Sequence, residues 1–240
     1  RDLTLAKMAD GSMLVIACDS SGAIGPKDRD VVKVPGYIVG RFTARVPLME
    51  VMAAGATPMV LINTLSVEMY PSGAEILRGI RDEVLEAGLE SELVITGSTE
   101  ENMITVQTAL GVTVIGSVPG QEKLKVGSSK PGQLVACVGL PKVGHEVRLG
   151  DPEIADLVVL RRLLELDYVS EILPVGSRGV RYEASLLART AGLVFEPIAI
   201  PTVNVEKSAG PATCLLVSLP VEKIDKLREA TGKPVHLVGR

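Results

Sequence analysis

The chain has 240 residues, 46% of them hydrophobic and only 2% aromatic, with no Trp, and its formal net charge is −4. That length and apolar share allow one large domain or two small ones and exclude a disordered chain. An acidic, ring-poor chain lacks the basic surface and stacking platforms of nucleic-acid binders, and no apolar run reaches the roughly 18 residues of a membrane span. No basic-then-apolar leader opens the sequence, and Cys18, Cys137 and Cys214 sit far apart in apolar runs. They read as small core residues in a reducing compartment, so a cytoplasmic location is expected. With His145 and His236 as the only histidines, a Ser-His-Asp or His-rich metal mechanism starts at a disadvantage.

In chain order, SMLVIAC (12–18) predicts a buried strand ending at Asp19, followed by a Gly-rich loop, SSGAIGPKDRD. Tyr37, Ile38, Phe42, Val46, Met49 and Ala53 have helical spacing, but Pro47 within that run predicts a kink or a second helix start. Gly55 ends this helix, and Pro58 opens the strand MVLINTLSVEM. Ser72 and Glu75 form a capping-box pattern before a helix that Gly88 closes. LVIT (93–96) predicts a strand running into a GSTEE loop, and 103–116 a long half-exposed strand. This first half reads as α+β, with helices on one face of a sheet.

Residues 117–132 are polar and rich in Gly, Pro, Ser and Lys, which places a boundary between domains at 1–120 and 127–240. QLVACVGL is a strand, and Asp151-Pro152 reads as the cap and first residue of a helix running to Leu166. EILPV, LVFEPIAI, ATCLLVSLP and PVHLVG supply further strands, and GSRG (176–179) and VEKIDKLREATG introduce the last two helices.

Two kinds of feature carry chemistry. Carboxylates sit at strand and helix ends: Asp2, Asp19, Glu50, Glu100 and Glu101. Converging without Lys or Arg they repel unless a hard cation such as Mg²⁺ joins them; taken singly, each also reads as a solvated loop or cap acid. Gly-rich loops suited to phosphate follow strands or open helices: GAIGPK with Gly22, Gly25 and Lys27; Gly97-Ser98-Thr99; and GSRG with Arg178. Each is also an ordinary turn pattern. Neither a Walker motif nor G-x-G-x-x-G is present. Cys18 is expected to be buried and inert, and His145 to lie at the surface.

The order of these motifs is more specific than any one of them. Asp2-Leu3, LVIACDSSGAIGPK, GRFTARVPLMEVMAAGATP, VITGSTEENMITVQTALGVTVIG, KPGQLVACVGLP, GSRGVRYEASLLARTAGL and SAGPATCLLVSLP follow one another over nearly the whole chain. This series resembles the aminoimidazole ribonucleotide synthetase (PurM-like) superfamily, which includes thiamine-monophosphate kinase, the HypE-type maturation protein and selenophosphate synthetase. Its most distinctive piece runs from Glu50 through Gly55-Ala56 to Pro58.

The resemblance implies a two-domain α+β enzyme using ATP and Mg²⁺. Its N-terminal mixed sheet would carry helices on one face and pair into a barrel in a homodimer; a smaller C-terminal α/β domain would follow. It implies metal ligation by Asp2, Asp19 and Glu50, where the family usually has Asp at the last position. Gly22, Gly25, Lys27, Gly97, Ser98, Thr99 and Glu100 would serve ATP and its phosphates, with Asp19 and Lys27 catalytic. Ser98 stands where the family has Asp, so one ligand is lost or moved to Glu100. Arg178, Gly179 and Glu183 are expected to meet a small-molecule substrate.

Among members, a Cys or selenocysteine beside Lys marks selenophosphate synthetases, and nothing before Cys18 fits. HypE-type proteins end in a reactive Cys, where this sequence reads HLVGR, and the synthetase loop Asp-Gly-Val-Gly-Thr-Lys is only partly kept in DSSGAIGPK. The resemblance is strongest to α-ribazole kinase, then to thiamine-monophosphate kinase. Another PurM-like synthetase and an inactive nucleotide-binding regulator remain alternatives.

Overall fold

The computed structural model describes residues 1–89 and 93–240. The chain forms two compact units: Asp2–Met52 with Ala56–Lys123, and Leu124–Arg240 with Arg1 and Ala53–Gly55.

The N-terminal unit contains, in order, β1 (Leu3–Lys7), β2 (Met13–Gly22), β3 (Ile24–Gly25), β4 (Val32–Lys33), α1 (Gly36–Ala53), β5 (Thr57–Leu65), α2 (Ala74–Glu86), β6 (Val94–Thr99) and β7 (Ala109–Val118). Five strands make a sheet in the order β1-β2-β7-β5-β6, in which only β5 and β6 pair in parallel. Alternation along β2 and β7 buries Met13, Val15, Ala17, Val112, Val114 and Val118 on one face. Helix α1 covers that face so closely that a Cβ on Gly116 would strike Val51.

α1 and α2 pack with their backbones nearly touching. A Cβ on Gly40 would collide with the carbonyl of Ile76, and one on Gly79 with that of Tyr37. Beside this crossing, the fully buried Glu83 accepts from Arg41 Nε (2.5 Å) and Arg45 Nε (2.6 Å). Two guanidiniums on one carboxylate offset the desolvation that a lone buried charge would suffer.

Several elements differ from expectation. β2 runs through Asp19 to Gly22, so Asp19 lies within a strand, not after one. α1 is a single helix of 18 residues that contains Pro47; burial of Leu48, Met49, Val51 and Met52 offsets the lost backbone bond. No capping box forms at α2, because Ser72 Oγ donates to Glu68 instead and Glu75 pairs with Arg78. Gly97, Ser98 and Thr99 are the last residues of β6 rather than a free loop. The strand expected from 103 begins only at Ala109, since Thr108 is held by Asp30 and Ala23. Cys18 is exposed, facing the uncovered side of the sheet with Sγ 3.2 Å from Thr113 Oγ1.

The C-terminal unit contains β8 (Leu134–Val138), α3 (Leu157–Glu165), β9 (Glu171–Pro174), α4 (Gly179–Thr190), β10 (Leu215–Leu219), α5 (Ile224–Thr231) and β11 (Val235–Gly239). Its sheet runs β11-β8-β10-β9, every pair antiparallel. Val135, Cys137, Cys214 and Leu216 pack with Val180, Ala184 and Leu187 of α4 in the core. Buried Glu171 accepts from Arg1 Nη2, the backbone N–H groups of Gly127 and Ser129, and Ser129 Oγ. The helix expected from Pro152 starts five residues later, capped by Asp156 Oδ1 on Val159 N–H (2.8 Å), because Asp151 is drawn to Lys142. The strand expected over 193–200 reduces to one bridge between Pro197 and Gly239. Among the described residues no helix is long and apolar enough to cross a membrane.

The helix crossing yields a test. Gly40→Ala is expected to lower unfolding free energy by about 2 kcal/mol or more, because the obstacle is backbone and neither helix can yield without moving. Urea titration measures it; an unchanged midpoint would contradict the close approach.

Candidate functional site

The loop leaving β2 is tightly constrained. Ala23 and Gly25 both have positive φ, 59° and 153°. A Cβ on Gly25 would run into Thr108 Oγ1 and Asp30 Oδ2, so glycine is required there for space as well as conformation. Asp30 is buried, and its carboxylate accepts from Lys27 N–H (2.8 Å), Thr108 N–H (2.7 Å) and Thr108 Oγ1 (2.7 Å). Lys33 Nζ donates to the carbonyl of Lys27. Ala23 and Arg29 N–H groups bond to the carbonyls of Thr108 and Val106. The run PKDRD thus folds back on the 106–108 segment through Asp30 and the Arg29 backbone, while the Asp28 and Arg29 side chains stay exposed.

This loop presents Lys27 to a groove of about 590 Å³, lined by Asp28, Gly36, Glu68, Ser72, Glu75 and Thr105 among others. Lys27 Nζ donates to Glu68 Oε2 (2.5 Å), and Ser72 Oγ donates to Glu68 Oε1 (2.6 Å). Burial pushes the Glu68 carboxyl up, but the bonds from Lys27 and Ser72 outweigh it and hold it at about 2. Thr105 Oγ1 is buried without a hydrogen-bond partner. The charged residues lining the groove are Lys27 against Asp28, Glu68 and Glu75, an acidic balance that disfavours a bare anion and suits a phosphate carried with a divalent cation. Sequence reasoning gave no role to Glu68, Asp30 or Thr105. LSVEM reads as strand, and only the tertiary pairing with Lys27 reveals Glu68.

Asp2 precedes β1, whose Leu3 pairs with Ala17, so Asp2 and Asp19 share one end of the β1–β2 pair. Burial raises the Asp19 carboxyl to about 6; a bond from the Ser20 N–H opposes this, and the Asp2 charge adds to it. Glu50 lies buried on α1. Among the described residues no three His, Cys, Asp or Glu side chains gather closely enough to hold a metal ion. Of the expected set, Asp2 and Asp19 lie at the β1–β2 edge and Glu50 on the packed helix α1.

The expected phosphate loop is also different. In β6, Gly97 pairs with Asn63 in register, and a Cβ there would strike the carbonyl and Oδ1 of Asn63. Gly97 is thus a packing requirement, while Ser98 is exposed at the sheet edge. Glu100 Oε1 accepts the N–H groups of Asn102 and Met103, which hold its carboxyl below the usual range. Glu101 accepts from Met69 N–H and Thr99 Oγ1, tying this turn to residue 69.

In the C-terminal unit, Arg178 is exposed, its guanidinium 4.6 Å from the Tyr182 ring centroid. Gly179 (φ 81°) packs against Glu206 and Lys207, and its N–H donates to Gly176 O. Arg181 N–H donates to Val205 O, so the chain's own 205–207 segment covers the start of α4. Glu183 is buried, with its carboxylate beside Gly176. His145 is exposed.

Residues 2–118 match the family described as AIR synthase related protein, N-terminal domain. The tt0281 protein of Thermus thermophilus superposes with a TM-score of 0.67 at 17% identity, covering 100% of this chain and 85% of that one. The fold is PurM-like. Thermotoga maritima PurL, solved in complex with ATP, shares this PurM-like fold at TM-score 0.65 and 17% identity, over 99% of this chain and 42% of PurL. AaThiL, solved with AMPPCP and TMP, does so at 0.61 and 14%, over 100% and 84%. No curated protein matches in sequence.

Asp19 gives a pH test. An acid whose native value is raised stabilises the fold where it is protonated, and that contribution is lost as pH rises through about 6. Asp19→Asn, which mimics the neutral acid, is expected to melt above the wild type at pH 8, with the gap closing toward pH 4. A gap that does not vary with pH in thermal melts would contradict the burial of this carboxylate.

Proposed function

We propose that this chain is a magnesium-dependent kinase that transfers the γ-phosphate of ATP to a hydroxyl of a nucleoside-like small molecule, with α-ribazole the first acceptor. One observation carries the reading: an ammonium, Lys27, is fixed at an acid-lined groove by the loop that leaves the strand bearing Asp19. ATP-complexed PurL and AMPPCP-complexed AaThiL, which have the same fold, support a nucleotide ligand.

Bound with the nucleotide, Mg²⁺ supplies neutralisation of the phosphate charge. Asp2 and Asp19 are the carboxylates to hold it, and burial, which raises Asp19 to about 6, leaves a carboxylate whose charge a bound cation would offset. Lys27 donates to phosphate oxygens and stabilises the charge that grows on them during transfer. Thr105 Oγ1 offers a further donor in the groove. Arg178 is the proposed acceptor contact of the C-terminal unit. The half-exposed sheet face that includes Ile16, Ile62 and Thr113 supports pairing of two copies through their sheets, and the three cysteines, far apart in sequence, support a cytoplasmic location. Thiamine monophosphate, which would accept on its phosphate instead of a hydroxyl, is the second acceptor to test, supported by the shared fold of AaThiL, solved with AMPPCP and TMP.

Incubation with ATP, Mg²⁺ and α-ribazole is expected to release ADP, and Asp19→Asn to lower kcat roughly a hundredfold or more while the protein stays folded. A fully active Asp19→Asn protein contradicts the assignment. Nucleotide binding without ADP formation on any nucleoside or thiamine phosphate favours a regulator.

A further inference from the structure

Glu68 is pinned at both ends. Its backbone carbonyl accepts from Gly73 N–H (2.9 Å), and a Cβ on Gly73 would press against that same oxygen. Its carboxylate is anchored by the buried Ser72 through Oε1, leaving Oε2 for Lys27. At the other end of the contact, the Lys27 backbone is fixed by Asp30. The flexible stem of the lysine therefore spans two rigid points.

We propose that Glu68 is a positioning residue that acts through Lys27, fixing its ammonium in the groove for a phosphate group. The inference rests on the reading of Lys27 as a phosphate-holding residue. An ammonium has three donors. Glu68 takes one, and two remain for ligand oxygens. Without the pair, the stem samples many rotamers and the cation is spread over the groove mouth.

Two other roles are open to a carboxylate here, and the structure disfavours both. A general base works with a value near the operating pH, whereas the bonds from Lys27 and Ser72 keep Glu68 at about 2. A competitor that blocks Lys27 until a ligand displaces it must be free to swing away, whereas Ser72 and the Gly73 contact hold Glu68 still. The two ideas predict opposite signs. Removing the carboxylate charge weakens phosphate binding when Glu68 positions the lysine, and tightens it when Glu68 competes.

The experiment is titration calorimetry of Mg-ATP on the full chain for wild type, Lys27→Met, Glu68→Gln and the double variant, with circular dichroism melts confirming the fold. Lys27→Met is expected to weaken binding. Glu68→Gln is expected to weaken it about tenfold, the lower end for a hydrogen bond between charged groups. The double variant is expected to bind no more weakly than Lys27→Met, because Glu68 acts only through that side chain. Unchanged or tighter binding by Glu68→Gln, or losses that multiply in the double variant, would overturn the proposal. If Lys27→Met binds like wild type, or wild type does not bind Mg-ATP, the reading beneath it fails as well. Should Glu68→Gln unfold, Ser72→Ala cuts the anchor alone: weaker binding supports the proposal, and equal or tighter binding overturns it.

Discussion

Asp30 carries a buried charge at the base of the loop between β2 and α1, and three donors meet it there. A carboxylate so placed cannot lose a partner without leaving charge unsatisfied in a dry site. The loop is therefore held in one arrangement, with Gly25 fitted against Thr108 and Asp30. From that arrangement follows the direction of Lys27, and from Lys27 its contact with Glu68. The candidate site is thus a consequence of one buried ion at the loop's base, not of the glycines alone.

The PurM-like fold fits the expectation drawn from motif order, and the reasons are physical. Alternating apolar residues in LVIAC and ALGVTVIG specify a half-covered sheet, and the strand and helix pattern around them repeats local preferences that tertiary packing keeps. Where local patterns failed, a long-range partner took over the residue. Ser72 caps no helix because Glu68 uses its hydroxyl. Gly97-Ser98-Thr99 forms no loop because β5 pairs with it. Pro47 does not split α1 because the packing around that helix outweighs the missing N–H.

The same contrast separates the two halves of the site. Lys27 and Asp19 could be singled out as candidates from the sequence because each sits beside a distinctive run, GAIGPK or LVIACD. Glu68, Asp30 and Thr105 were not, since an acid or a threonine in a polar stretch has no signature until the fold supplies its partner. Of the carboxylates that motif order places together, Asp2 and Asp19 share one end of the β1–β2 pair, and Glu50 is buried on α1. An acid-lined groove with a fixed ammonium is the observation on which the proposed metal-bound nucleotide rests, because such a ligand brings both negative oxygens and a cation.

Hydrogen–deuterium exchange with and without Mg-ATP tests that claim most directly, because it locates the ligand without assuming an acceptor. The account predicts slowed exchange over residues 19–33 and 67–73 of the N-terminal unit. Protection confined to residues 124–240, or none in the presence of saturating Mg-ATP, would contradict it.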